Sequence, residues 1–92
     1  MSVKCKMNDL NAFKQVYEAS LENNEHVGIM ASTMYQDPND PAMITVLHQF
    51  ADLETAQKTA VMWGSEEVKA AISEQGYAQM DTFELNVLQP VA

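Results

Sequence analysis

Along the chain's 92 residues the spacing of apolar side chains switches back and forth between two and about 3.6 residues, and few folds satisfy the resulting order. Val3, Cys5 and Met7 alternate with Ser2, Lys4 and Lys6, which predicts a first strand. Asn8 or Asp9 can then cap a helix by accepting a first-turn N–H, and Leu10, Phe13, Val16, Tyr17 and Leu21 recur at helical spacing until Asn23 and Asn24. From His26 to Tyr35 the period returns to two, with Val27, Ile29, Ala31, Thr33 and Tyr35 on one side. Gln36 to Pro41 is a turn, because each proline fixes φ and removes a backbone donor. Met43 to Phe50 predicts a third strand, antiparallel to the second. Asp52 can cap a helix carrying Leu53, Ala56, Ala60 and Trp63, which Gly64-Ser65 interrupts. Ser65 starts the helix afresh with Glu66 and Glu67 in its first turn, and Gly76 is placed to end it. Thr82 to Leu88 predicts the last strand.

The order is β-α-β-β-α-β, a split β-α-β unit repeated twice, which predicts one ferredoxin-like α+β domain over residues 1–92. Right-handed crossovers put the helices on one face of a four-stranded antiparallel sheet. Val3, Cys5, Ile29, Ala31, Ile44, Val46, Phe83 and Leu85 are expected beneath them. On the opposite face Met30, Met34, Leu47 and Leu88 mingle with Lys4, Gln49 and Asn86. Such a face is too apolar for full exposure and too polar for a monomer's core. Pairing with the same face of a second copy resolves both problems, with methionines adapting to the gap, so a homodimer is expected. A domain this small buries only about 60–65% of its unfolded surface, which also favours association.

Thirteen acidic and five basic residues give a net charge of -8. That balance repels phosphate backbones and anionic lipid, and no Lys/Arg cluster offsets it, so neither nucleic acid nor membrane is an expected partner. The single cysteine, Cys5, excludes an intramolecular disulfide and a CxxC pair. The alternating N-terminal residues lack the apolar core of a signal peptide, and no run approaches the roughly 20 apolar residues of a membrane span. The cytoplasm is the expected location.

Two stretches carry a family resemblance. Val46-Leu47-His48-Gln49-Phe50-Ala51-Asp52 leads into a helix, and Trp63-Gly64-Ser65-Glu66-Glu67-Val68-Lys69-Ala70-Ala71 joins a tryptophan to a serine-initiated second helix. The chain here resembles the dimeric α+β barrel superfamily, which contains antibiotic-biosynthesis monooxygenases and an uncharacterised branch of small bacterial proteins. The resemblance implies a face-to-face homodimer with four-stranded sheets. It also implies cofactor-independent oxidation or rearrangement of a small aromatic or polyketide-like molecule. Haem-degrading members of the superfamily place a haem-ligating histidine just after the Lys-Ala-Ala. Here that position is Ile72, which argues against haem degradation.

Few side chains are candidates for chemistry. His48 alternates with Val46 and Phe50 and should face the helices, where a buried imidazole of tunable pKa can act as a general base. A lone histidine on an apolar face is more often a hydrogen-bonded core residue. Trp63, ahead of the Gly64 break, and Phe50 are candidate walls of a pocket for a flat ligand, although large aromatics are more often plain core. Tyr35, beside the β-hairpin turn, is a candidate hydrogen-bond donor to such a ligand. No nucleophile elbow, phosphate loop, paired carboxylates or metal-ligand spacing is present, so neither a metal nor another cofactor is expected. The alternatives to an enzyme are a non-catalytic binder of a small apolar ligand and a structural dimerisation unit.

Overall fold

A computed structural model describes residues 1–89 and 91. In chain order it contains β1 (Ser2–Lys6), α1 (Leu10–Leu21), a 3₁₀ turn (Asn24–Val27), β2 (Ile29–Gln36), β3 (Met43–Phe50), α2 (Leu53–Trp63), α3 (Glu66–Gln75) and β4 (Gln79–Asn86). The strands form one antiparallel four-stranded sheet in the order β2-β3-β1-β4, and the fold is ferredoxin-like as predicted. Leu10, Phe13 and Tyr17 of α1 and Ile72 of α3 pack toward Cys5, Ile44 and Val46, so the helices share one face of the sheet.

The helix starts follow the predicted capping chemistry. Asp9 accepts the Ala12 N–H at 3.1 Å, Asp52 the Thr55 N–H at 2.7 Å and Ser65 the Val68 N–H at 3.3 Å, each satisfying a first-turn donor. Gly76 closes α3 at φ 74°, the left-handed conformation that glycine adopts without penalty.

The second strand corrects the predicted facing. Val27 lies in the 3₁₀ turn and is exposed, and the strand begins only at Ile29, after Gly28 at φ 83°. The pairing of β2 with β3 then shifts between Ile29 and Ala31. One extra residue in a strand reverses the face of everything after it. Ile29 still points at the core, but Ala31, Thr33 and Tyr35 face outward, and Ser32 and Met34 turn in under the helices. Met34, expected on the dimer face, packs against the core instead. Met30 at the shift, Leu47 and Leu88 are exposed in the single chain.

The last strand also differs, running from Gln79 to Asn86 rather than from Thr82 to Leu88. Its register with β1 shifts between Lys4 and Lys6, and the Thr82 hydroxyl fills the gap. It accepts the Lys6 N–H at 2.7 Å and donates to the Gln79 carbonyl at 2.7 Å. The expectation rested on the alternation of Phe83, Leu85 and Val87, which does not reach back past Thr82, and the Thr82 side-chain bonds carry the strand through the shift to Gln79.

Candidate functional site

The three helices do not approach the sheet equally. On α2 the inner positions are the small Ala56, Thr59 and Ala60, and the first two are fully buried. No residue of α1 or α3 is fully buried. Their apolar stripes look instead into a cavity of about 400 Å³. Val3, Cys5, Val46 and His48 form its floor on β1 and β3, and Phe13, Val16 and Tyr17 of α1 and Val68 and Ile72 of α3 form its roof. Trp63 closes one side from the last position of α2, and Phe83 and Tyr77 lie by β4. Phe13 stacks on Tyr17 at 6.3 Å between ring centres and leans on Tyr77 at 6.0 Å, so the wall is largely aromatic. The exposed Ser20, Asn23 and Val27 place the opening beside the end of α1.

His48 occupies the inward phase of β3, directly across from Ser32. Its Nδ1 lies 2.7 Å from the Ser32 hydroxyl, which in turn accepts from the Asn24 amide at 3.2 Å. The imidazole meets Trp63 edge-on at 5.3 Å and Phe50 at 6.5 Å. Removal from water, and secondarily the positive chain amine, push the His48 pKa down to about 4, so the ring is neutral at physiological pH. Cys5, on the same floor, is pushed up to about 11 by burial and remains an unreactive thiol. Burial also raises the Tyr17 and Tyr77 hydroxyls above their ordinary pKa.

The lowered His48 pKa has a consequence for stability. The unfolded chain takes up this proton near 6.5 and the folded chain near 4, so between those values the unfolded state binds more protons. The His48 contribution is therefore complete above pH 6.5 and is lost as the pH falls to about 4. Allowing for the partial exposure of the ring, the loss is on the order of 2 kcal/mol. Urea unfolding followed from pH 7 to pH 4 measures it, and His48→Gln should flatten that part of the profile.

Of the predicted site residues, His48 and Trp63 come together in the cavity wall. Phe50 touches His48 but lines a second groove, of about 700 Å³, bordered also by His48 itself, Ala31, Thr33, Leu47 and Leu88. Tyr35 is corrected outright. The shift in β2 puts it on the far face of the sheet, 53% exposed, where it cannot meet a ligand held by Trp63. Sequence reasoning missed Ser32 and Asn24, and Gly28 inside a strand-like period was the available signal, since such a glycine often marks a bulge.

Among the described residues, no group of three or more His, Cys, Asp or Glu side chains is placed to hold a metal ion. None of the described helices is long and apolar enough to cross a membrane. Comparison with family models, with curated proteins and with solved structures finds no match to this chain.

Proposed function

We propose that this domain binds a flat, mostly apolar small molecule between its helices and its sheet, with His48 meeting the ligand's polar group. One observation carries the proposal: a half-open, largely apolar cleft of about 400 Å³ lies between the helices and the sheet, and a neutral histidine stands in its aromatic wall. Ordinary cores contain few voids larger than a water molecule, whereas ligand sites are largely apolar clefts with a few convergent polar groups. Filling the space tests it. Val3→Phe raises an aromatic ring from the floor, and should leave the fold at least as stable while weakening naphthalene binding at least about tenfold, read by Trp63 fluorescence. Equal binding by both proteins would place the ligand elsewhere.

A catalytic reading is favoured by the same imidazole. The enzyme chemistry that fits the resemblance is cofactor-independent monooxygenation of an aromatic or polyketide-like molecule. A base takes a proton from a ring methylene, dioxygen adds at that carbon, and one oxygen atom is kept as a carbonyl while the other leaves as water. In this reading Trp63 is a pocket wall and His48 the base, which requires the tautomer with its proton on Nδ1, donated to Ser32, and Nε2 free.

The assembly belongs to the same proposal. The outer sheet face exposes Met30, Tyr35, Leu47 and Leu88, and carries Lys4 opposite Glu84 in register. A face bearing both charge signs around apolar residues can match a second copy across a twofold axis. Sedimentation of the wild type at micromolar concentration should give a dimer, and Leu47→Glu a monomer. A monomeric wild type would overturn the pairing. A reducing cytoplasm suits a domain whose only cysteine is a buried thiol.

A further inference from the structure

We infer that the chain of hydrogen bonds from Asn24 through Ser32 to His48 holds Nε2–H toward the cavity, and that the site therefore selects uncharged, flat molecules bearing a carbonyl-type acceptor. This inference rests on the cavity being a ligand site, and adds the chemistry of the ligand.

The proton positions follow from the first donor. The Asn24 amide nitrogen, on the 3₁₀ turn, can only donate, so Ser32 Oγ accepts from it at 3.2 Å. Among the described residues the hydroxyl has no acceptor other than His48 Nδ1, at 2.7 Å, so its own proton points there. A neutral imidazole carries one proton, and with Nδ1 accepting, that proton sits on Nε2. Burial of the ring keeps it in that neutral form. No group among the described residues bonds Nε2, yet no side-chain nitrogen or oxygen there is both fully buried and unpaired. Nε2–H is thus accessible, on a ring that borders both the cavity and the second groove, and the edge-on contact with Trp63 sets that ring against the cavity wall.

The remaining wall sets the rest of the specificity. No charged side chain lines the cavity, and its polar groups besides His48 are hydroxyls, amides, a thiol and the Trp63 indole, itself a donor. An anion or a cation entering would lose its hydration without a counter-charge, which strongly disfavours both. An apolar molecule without an acceptor would leave the Nε2–H unpaired. A phenol would have to offer its oxygen to Nε2–H and also find an acceptor for its own proton in the same pose. An aryl ketone, aldehyde or quinone satisfies the donor and introduces no proton of its own.

Four probes of one shape test this at neutral pH: naphthalene, acetylnaphthalene, naphthol and naphthoate, titrated against Trp63 fluorescence. Acetylnaphthalene is expected to bind about five- to tenfold more tightly than naphthalene, with naphthol between them and naphthoate weakest. Ser32→Ala should reduce the ketone's advantage to less than about twofold without changing naphthalene binding, and Ser32→Thr, which keeps the hydroxyl, should restore it. Nitrogen chemical shifts of His48 in the wild-type protein read the tautomer directly, and the expected result is protonated Nε2 with unprotonated Nδ1. Protonated Nδ1, or naphthol binding better than acetylnaphthalene, overturns the assignment of the donor even if naphthalene binds. Failure of all four probes to bind overturns the ligand site itself.

Discussion

Ile44→Ala is expected to lower stability by about 3 kcal/mol, close to a third or more of what a domain of this size possesses. Ile44 is the most buried large side chain among the described residues, at 2% exposure, and it sits in mid-sheet between Cys5 of β1 and Gln36 of β2. Its neighbours Cys5, Val46, Met7 and Ala78 complete the buried cluster in which it sits. Truncation removes the transfer energy of three carbon atoms and leaves a space that the paired strands cannot close. For a chain this short the melting temperature should fall by on the order of 15 °C. Thermal and urea unfolding of the two proteins measure it. A loss below about 1 kcal/mol would mean that this face of the sheet is not the one that holds the fold together.

Gly28→Ala comes next, at about 2–3 kcal/mol, from two additive causes. Gly28 has φ 83°, a conformation that an L-residue adopts only with strain. A Cβ built there would also lie 2.8 Å from the Thr55 methyl, too close to stand unless Thr55 changes rotamer or the backbone shifts. Gly76 separates the two causes. It has a similar φ of 74° but open space around the added methyl, so Gly76→Ala should cost only about 1 kcal/mol. Combining Gly28→Ala with Thr55→Ser removes the obstructing methyl and should recover the difference, which a double-mutant cycle isolates. Equal losses at the two glycines would show that the contact with Thr55 contributes nothing. The position matters beyond stability, because Gly28 leads directly into the irregular start of β2 that turns Ser32 toward His48.

Much of the fold was legible because local signals agreed with one another. Asp9, Asp52 and Ser65 each stand where a helix begins, and Gly76 where one ends. The hairpin around Pro38 and Pro41 has the strands it predicts on either side. What escaped was register. A period of two read through Val27, Ile29, Ala31, Thr33 and Tyr35 is equally regular with or without an extra residue at Met30, but only the shifted pairing puts Ser32 opposite His48. The shift removed Tyr35 and Met34 from their predicted places and supplied the partner that orients the histidine. Likewise the Thr82 hydroxyl that carries β4 through its break is a tertiary bond, made to a residue 76 positions away.

The site was half legible for a related reason. His48 and Trp63 are conspicuous as the inward histidine of one strand and the large aromatic ending a helix. Whether such residues fill a core or border a space depends on how far the helices stand from the sheet, which periodicity does not report. The contrast between α2, with Ala56, Thr59 and Ala60 on its inner side, and α1, with Phe13 and Tyr17, is visible in the sequence once that question is asked. Small residues let α2 settle onto the sheet, and aromatic rings hold α1 above it.

The central claim concerns a place, the space between helices and sheet, and its most direct test is to map where a ligand binds. Nuclear magnetic resonance of the labelled protein titrated with acetylnaphthalene does this residue by residue. Saturable shifts are expected at Phe13, Tyr17, His48, Trp63, Ile72 and Phe83, with Tyr35, Thr45 and Glu84 on the outer face unchanged. Shifts confined to the outer face, or none at millimolar probe, would contradict it.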